Sequence, residues 1–593
     1  MIEKELKNAL SNPLLLNVDI LKLQHLSMKF SQIDKSEINF KKKINISVSS
    51  NYTTDFLIEI LPLFLGNRNI DSKIYQSDYG SLTYLVRDLN NDFWKKICDI
   101  FILIPSSGKL MFLPEITDGI DKIKDNARKE AEIWLKMWSK IKKTIIQSTF
   151  DPPFYTNLGN IDGVQFGGYT HYIRLVNSIL VENLPSHVNL IDIESLIIKN
   201  KEIDWQDHRL YNLAKQPFSM NTIPVLANSI SSSTAGVLGM ARKVIVVDLD
   251  NTIWGGIIGD DGLDGIKLGN DTPEGEAFIN FQNYLKKLSS KGIILCVCSK
   301  NDHKIAQEPF IKHTDMTLKL DDITVFIANF NDKPSNIRKI SETINLGLDS
   351  FVFIDDSLVE CELVKKELPE VLVINLIDDP SEFIKKIELI SPFYFKNITE
   401  EDINRNISYK KISIIKNQRL EATNLEEFLK ELKPEIFFEK LDKKNIERSS
   451  QLIAKTNQFK FNSNLYSSTE LLEIKNKMVS IIRFKDKIQN YGIISVLIFR
   501  IDNKSKTLNI ENWVMSCRVF SRQIEHYVLN YLVQKAIENQ CNMIGFKFEK
   551  TKKNLYLQTF LQEIGVKLNK NEGFYHIKLN NITNKIKNYS SFY

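Results

Sequence analysis

The run "KVIVVDLDNTIWGGIIGDDG" at 243–262 sets two carboxylates, Asp248 and Asp250, two residues apart just after an apolar, β-branched stretch, with Thr252 close behind. A carboxylate at the tip of a buried strand is costly without a partner or a task. Ser299 follows "IILCVC" with Asn301 just beyond, Lys333 lies in "NFNDKPSNI", and Asp355 and Asp356 follow "FVFI". Singly these residues read as a strand-end cap, a solvated lysine and a turn. Jointly, at the carboxyl ends of parallel strands, they would share the sheet edge where ligands bind. That set suits phosphoryl transfer. Asp248 would attack phosphorus, and Asp250 would protonate the leaving oxygen. Mg²⁺, which prefers hard oxygen ligands, would be held by Asp248, Asp250 through its main-chain carbonyl, and one aspartate of the pair Asp355 and Asp356. Ser299 and Lys333 would clamp the phosphoryl oxygens, with Thr252 and Asn301 beside the substrate.

From 243 onward, strand-like and helix-like runs alternate with short connections: "KVIVVD", the helical 274–292, "IILCVCS", "SFVFIDDS" and "VLVINL". Such alternation predicts parallel strands under right-handed crossovers. The intervals from Thr252 to Pro273 and from Ser299 to Lys333 are too short for a lid domain of roughly 50 residues. Upstream, "FLIEILPLFLGN" (56–67), "DIFILIP" (99–105) and "VNLIDIE" (188–194) read as strands alternating with amphipathic stretches such as 122–147, an α/β layer. "NSISSSTAGVLG" (228–239) reads as a linker or surface loop. Thr399 with Asp402 resembles an N-cap box opening a charged helical segment to about 433. The remainder carries the strands "MVSIIRF", "ISVLIFRI" and "LNIENWVMSC" and a helix at about 523–539. The resulting division is 1–240, 241–390, a helical connector 391–435, and 436–593.

A chain of 593 residues exceeds one core, and 25% charged with 43% apolar residues is ordinary for a folded protein. A net charge of +5 without a long basic block gives no indication of nucleic-acid binding, and no segment is long and apolar enough for a membrane span. With no signal-peptide pattern, a cytoplasmic location is expected. The six cysteines lack zinc-site spacing and read as free thiols.

The motifs "DLDNTIWGGIIGDDGLDGIKLG", "PEGEAF", "VCSKND" and "FIDDS", together with "KTNQFKFN" (455–462) and "MSCRV" (515–519), closely resemble the FkbH-like family of the haloacid dehalogenase (HAD) superfamily. The resemblance implies an α/β multidomain protein: a central HAD-type Rossmann-like parallel sheet, an N-terminal SGNH-hydrolase-like domain read as docking or structural, and a C-terminal GNAT-like domain. It also implies an enzyme, a glyceryl transferase/phosphatase. Such enzymes take the small three-carbon substrate D-1,3-bisphosphoglycerate, form a glyceryl thioester with loss of phosphate, and load it onto a phosphopantetheinylated acyl carrier protein for polyketide biosynthesis. Two departures stand out. The fourth motif, usually "DDNP-x-ER", keeps Asp356, which the resemblance implies as the direct metal ligand with Asp355 behind it, but continues here as Ser357, Leu358, Val359, Glu360 and Cys361, and Ser521 and Gln523 replace glycines near the C-terminus. Side chains at 521 and 523 speak against CoA-dependent acetyl transfer, since a Gly-rich turn there would let amides approach a pyrophosphate.

Two other readings stay open: a small-molecule phosphatase fused to an inactive acyltransferase-like domain, and a non-catalytic assembly scaffold. A thiol separates the first reading from the second, because a plain phosphatase needs none. Cys298, beside Ser299, is the first candidate relay, and Cys517 in "MSCRV" is the alternative.

Overall fold

The structure is a computed structural model that describes all residues except 1–3, 36–37, 39, 397, 399, 412–431, 475–476, 488, 521, 552, 569–571 and 587–593. Ser521, Thr399 and about half of the expected connector therefore lie outside the described residues. The chain divides into two units, Met1–Val237 with Leu389–Tyr394, and Leu238–Glu388 with Phe395–Tyr593. No helix among the described residues is long and apolar enough to cross a membrane.

The first unit holds a five-stranded parallel sheet of β1 (Lys42–Ser50), β2 (Ile70–Gln76), β3 (Ile100–Ile104), β4 (Thr144–Ser148) and β5 (Val188–Ile191), ordered β2-β1-β3-β4-β5. Two expectations are corrected here. Residues 56–67 form no strand. They lie in the Asp55–Asn67 helix, whose long apolar run is buried nearly all round and so shows neither the helical nor the strand period. The first strand is the more polar β1, which runs into Ser50 and Asn51. The Ser50 hydroxyl is engaged with main chain: it donates to the Ile104 carbonyl at 3.1 Å and accepts from the Tyr52 amide at 2.9 Å. Residues 228–239 are not a linker either. Most of them belong to the Thr222–Val237 helix, largely buried, whose small side chains allow close packing. A Cβ on Gly236 would sit 2.1 Å from ring atoms of Tyr394.

The second unit carries two sheets. The first comprises β6 (Val244–Val247), β7 (Ile294–Ser299), β8 (Val325–Ala328), β9 (Phe351–Asp355) and β10 (Leu372–Asn375), all parallel and ordered β10-β9-β6-β7-β8. Every residue of β6 and β7 is buried, because helices must cover both faces of such a sheet. The interval from Thr252 to Pro273 holds only the short Ile258–Gly265 helical segment, and neither it nor the interval to Lys333 forms a domain.

The second sheet comprises β11 (Glu435–Lys440), β12 (Met478–Lys485), β13 (Asn490–Asp502), β14 (Thr507–Met515), β15 (Met543–Glu549) and β16 (Glu572–Lys578), paired in chain order. It is antiparallel except for β14 and β15, the GNAT-like arrangement. That parallel pairing stops at Ile510 with Phe546. Beyond it the "QFKF" segment enters: the Phe461 amide donates to the Trp513 carbonyl at 3.2 Å, Met515 to Phe459 at 3.0 Å and Glu549 to Phe461 at 2.8 Å. Phe459 and Phe461 are fully buried against Trp513. The chain thus fills its own notch between two diverging strands, so the main-chain groups there are already paired. Gln523 adopts φ 59° at the start of the Ile524–Glu538 helix.

Two outcomes follow from this packing. Gly236→Ala gains about 1 kcal/mol of helix propensity but overpacks Tyr394 by about 1–3 kcal/mol, so urea unfolding of the first unit shifts to lower denaturant; a shift upward contradicts the packing. Acetyl-CoA shows no saturable calorimetric isotherm, since the notch is filled and Gln523 carries a side chain, whereas a clear isotherm restores acetyl transfer.

Candidate active site

β6 lies at the centre of its sheet, and the main chain leaves it with the Asp248 amide donating to the Ile354 carbonyl of β9 at 3.0 Å. This pairing brings Asp248 level with Asp355, the last residue of β9. Lys333 opens the Lys333–Ile344 helix behind its N-cap Asp332, so the lysine expected to clamp phosphoryl oxygens is held on a helix and buried. Its ammonium lies 3.0 Å from Asp248 Oδ2 and in tight contact with Asp355 Oδ2. Burial alone would lower the Lys333 pKa, but the two carboxylates outweigh it and hold the group charged.

Asp248, Asp355 and Asp356 each bring a carboxylate oxygen within 4.8 Å of the others. Asp248 Oδ1 is buried with no hydrogen-bond partner among the described residues. With Asp250 beside them, four carboxylates face one ammonium. Burial, then the Asp248 charge, push Asp355 up to about 7 against the pull of Lys333. Asp356 is raised by the same two causes. An orphaned carboxylate oxygen in an under-neutralised, all-oxygen cluster fits a hard divalent cation.

Asp250 is arranged differently. Its Oδ1 accepts from the Trp254 indole at 2.9 Å and the Ile258 amide at 3.0 Å, and its Oδ2 accepts from the Asn301 amide at 3.1 Å. With both side-chain oxygens engaged, only its main-chain oxygen is left to face an ion. Burial raises its pKa more than these donors lower it, which suits a carboxyl that must carry a proton part of the time. Asn301 was expected beside substrate; the structure commits its amide to Asp250, as a positioning residue. Thr252 is fully buried, and its hydroxyl has no partner among the described residues. Ser299 ends β7, 2% exposed.

The altered fourth motif closes in its own way. Ser357 caps the Leu358–Glu367 helix, and its amide donates to Asp355 Oδ1 at 2.8 Å. The Asn375 amide donates to the carbonyls of Asp355 and Asp356 at 3.1 and 3.0 Å. Glu360 pairs with Lys300 at 2.5 Å, tying this loop to the one after β7. Trp254, Asn375 and the Lys300–Glu360 pair escaped the sequence reading. Trp254 alone left a signal, four residues beyond Asp250 in the first motif.

Cys298 requires correction. Its side chain continues the face of Cys296 into the core formed with Val246, Ile337 and Phe353, sealed beneath the site with its Sγ 4.0 Å from the Lys333 carbonyl. It is 0% exposed, and burial pushes its thiol up to about 12, the reverse of a ready nucleophile. Cys517 alone among the six cysteines is partly exposed. It lies beside the Lys243 and Ser350 ends of β6 and β9, opposite the carboxylates.

Removing the Lys333 charge leaves Asp248 and Asp355 buried without compensation. Lys333→Met is expected to lower stability of this domain by about 3–5 kcal/mol in divalent-free buffer at pH 8, read by urea unfolding; a loss below about 1 kcal/mol contradicts the ion-pair geometry.

Residues 45–232 match the family described as FkbH, N-terminal domain. Among solved structures, the chain is similar to the N-terminal part of the protein BF1531 from Bacteroides fragilis, a part containing a phosphatase domain and crystallised with Mg. The two are 26% identical with a TM-score of 0.58, over 64% of this chain and 100% of that one. A spermidine/spermine N-acetyltransferase SpeG from Vibrio cholerae is similar over 25% of this chain and 97% of its own, at 9% identity and a TM-score of 0.21. No curated protein matches. Residues 45–232 thus match the FkbH N-terminal domain, and over 64% of its length the chain, with the parallel sheet and its carboxylate edge, is similar to a protein part that contains a phosphatase domain.

Proposed function

We propose that the Asp248 site is a Mg²⁺-dependent phosphoryl-transfer centre. The observation that carries this reading is the buried, unpartnered Asp248 Oδ1 beside Asp355 and Asp356, with its other oxygen on Lys333. Mg²⁺ would be held by Asp248, Asp356 and the main-chain oxygen of Asp250; it would neutralise the approach of an anionic nucleophile to an anionic phosphate. The BF1531 structure, which holds Mg, supports that choice of ion.

In this reading the Asp248 carboxylate forms a bond to phosphorus as the ester bond breaks, giving an aspartyl-phosphate. Asp250, oriented by Trp254, Ile258 and Asn301, delivers a proton to the departing oxygen and afterwards takes one from the attacking water. Lys333 and Ser299 stabilise charge on the transferring oxygens.

The finer proposal is the one the family likeness implies: the substrate is D-1,3-bisphosphoglycerate, and the glyceryl group passes as a thioester to the phosphopantetheine arm of an acyl carrier protein for polyketide assembly. The lack of a lid domain after the first or second motif suits a substrate on a long arm. With Cys298 buried, any relay through this chain's own thiols falls to Cys517, or acyl transfer is direct.

Asp248→Asn is expected to abolish Mg²⁺-dependent phosphate release while leaving the fold intact, and excess EDTA should do the same to the native chain. Asp250→Asn should harm turnover of an alkyl phosphate more than that of nitrophenyl phosphate, whose leaving group needs no proton. Undiminished release in Asp248→Asn, or equal losses on both substrates in Asp250→Asn, contradicts the assigned roles. For the finer reading, intact mass after mixing with 1,3-bisphosphoglycerate, Mg²⁺ and phosphopantetheinylated carriers with a free thiol should show a glyceryl carrier; its absence confines the chain to phosphatase chemistry.

A further inference from the structure

At the amino ends of β6 and β9, across the sheet from the carboxylates, lies a cavity of about 340 Å³. Lys243, Arg405, Arg448, Lys455, Arg518 and Lys553 line it, with Asp349 as its one acidic residue. Asp402 pairs with Arg405, and Lys553 with Asp349, so acid is present but outnumbered. The Lys243 ammonium donates to the Lys455 carbonyl at 3.3 Å and is paired with no carboxylate among the described residues. Cys517 is in the wall, its Sγ 3.5 Å from the buried Tyr409 hydroxyl.

The cavity is built rather than incidental. Gly239, at φ +74°, presses on Ala454, and its Cβ would meet the Ala454 carbonyl at 2.2 Å. Gly292, at φ +92°, presses in the same way on Asp402, again at 2.2 Å. Each glycine thus seats one wall, the helix carrying Arg448 and Lys455 and the segment carrying Asp402 and Arg405. The Asn345 amide fixes a third wall by donating to the Cys517 carbonyl at 3.2 Å. Gathering like charges in a rigid, half-enclosed space is unfavourable unless an anion occupies it. Burial, with Arg405, Arg448 and Lys243 pressing against the help of Asp402, takes Lys455 down to about 7.

We propose that this cavity is a second ligand site, taking a phosphate dianion carried on a short polar chain, with Cys517 in its wall. Its volume is at the small end for ligand pockets and suits a phosphorylated small acid or the phosphate end of free 4′-phosphopantetheine. Arginines and lysines together match the charge and the fork geometry of phosphate oxygens. The inference does not depend on the reading of the Asp248 site.

The test follows the rate at which iodoacetamide alkylates Cys517 in the full-length chain, by peptide mass, with inorganic phosphate, 3-phosphoglycerate or 4′-phosphopantetheine present. Saturable slowing by about tenfold at ten times the apparent Kd is expected from at least one. Stronger protection by 3-phosphoglycerate assigns a phosphorylated acid, and stronger protection by 4′-phosphopantetheine assigns a phosphate ester of pantetheine. Arg448→Gln with Lys455→Gln should lose the protection, Lys455→Arg should keep it, and phosphate release at Asp248 should stay unchanged in both. If the double variant melts early, Arg448→Gln alone is read. No saturable protection, equal slowing by chloride at matched ionic strength, or full protection in the double variant overturns the proposal.

Discussion

One lysine cannot neutralise the carboxylates gathered at the carboxyl edge of the central sheet, and that imbalance organises the site. Asp248 and Asp355 arrive side by side because β6 and β9 are adjacent and in register, and Lys333 reaches both because its helix starts at the same edge. Around this charge the neighbouring main chain and amides are arranged to keep each carboxylate in its own state. Trp254, Ile258 and Asn301 fix Asp250, while Ser357 and Asn375 fix the Asp355–Asp356 turn. What they leave uncovered is Asp248 Oδ1. A buried acceptor without a donor is costly, so its persistence beside two further carboxylates marks a place for a cation.

The same short strands carry the opposite charge at their other ends. Between Lys243 and Asp248 lie only the four residues of β6, so a cation-lined cavity and a carboxylate cluster occupy the two edges of one sheet. Cys517 sits on the basic side and Cys298 inside the layer between. Phosphoryl chemistry at one edge and a thiol at the other are therefore separate in space, which places any acyl relay through Cys517 outside the mouth that holds Asp248.

The site was legible in the sequence because each of its groups follows a strand that announces itself. "VIVV", "ILCVC" and "FVFI" are short apolar runs ended by polar residues, and parallel topology then brings those ends together. Cys298 was misread because it lies on the face of the sheet that leads to Asp248 and Asp355 yet is sealed beneath Lys333, and sequence cannot say which strand-end side chain reaches the surface. The 56–67 run was misread because a helix apolar all round loses its period, and the true first strand was missed because "KKINISVSS" is too polar to resemble one. The serine-rich 228–239 stretch imitates a linker in composition, yet small residues are what close helix packing on Tyr394 requires. Asn375 and the basic cavity depend on contacts between residues far apart in the chain, which no local pattern records.

The most direct measurement is peptide mapping of acid-quenched protein after rapid mixing with a phosphate ester and Mg²⁺. The account predicts one phosphoryl group on the peptide containing Asp248, formed and lost at rates compatible with turnover and absent without the metal. Turnover with that peptide never modified, or with the phosphoryl group on another residue, would contradict it.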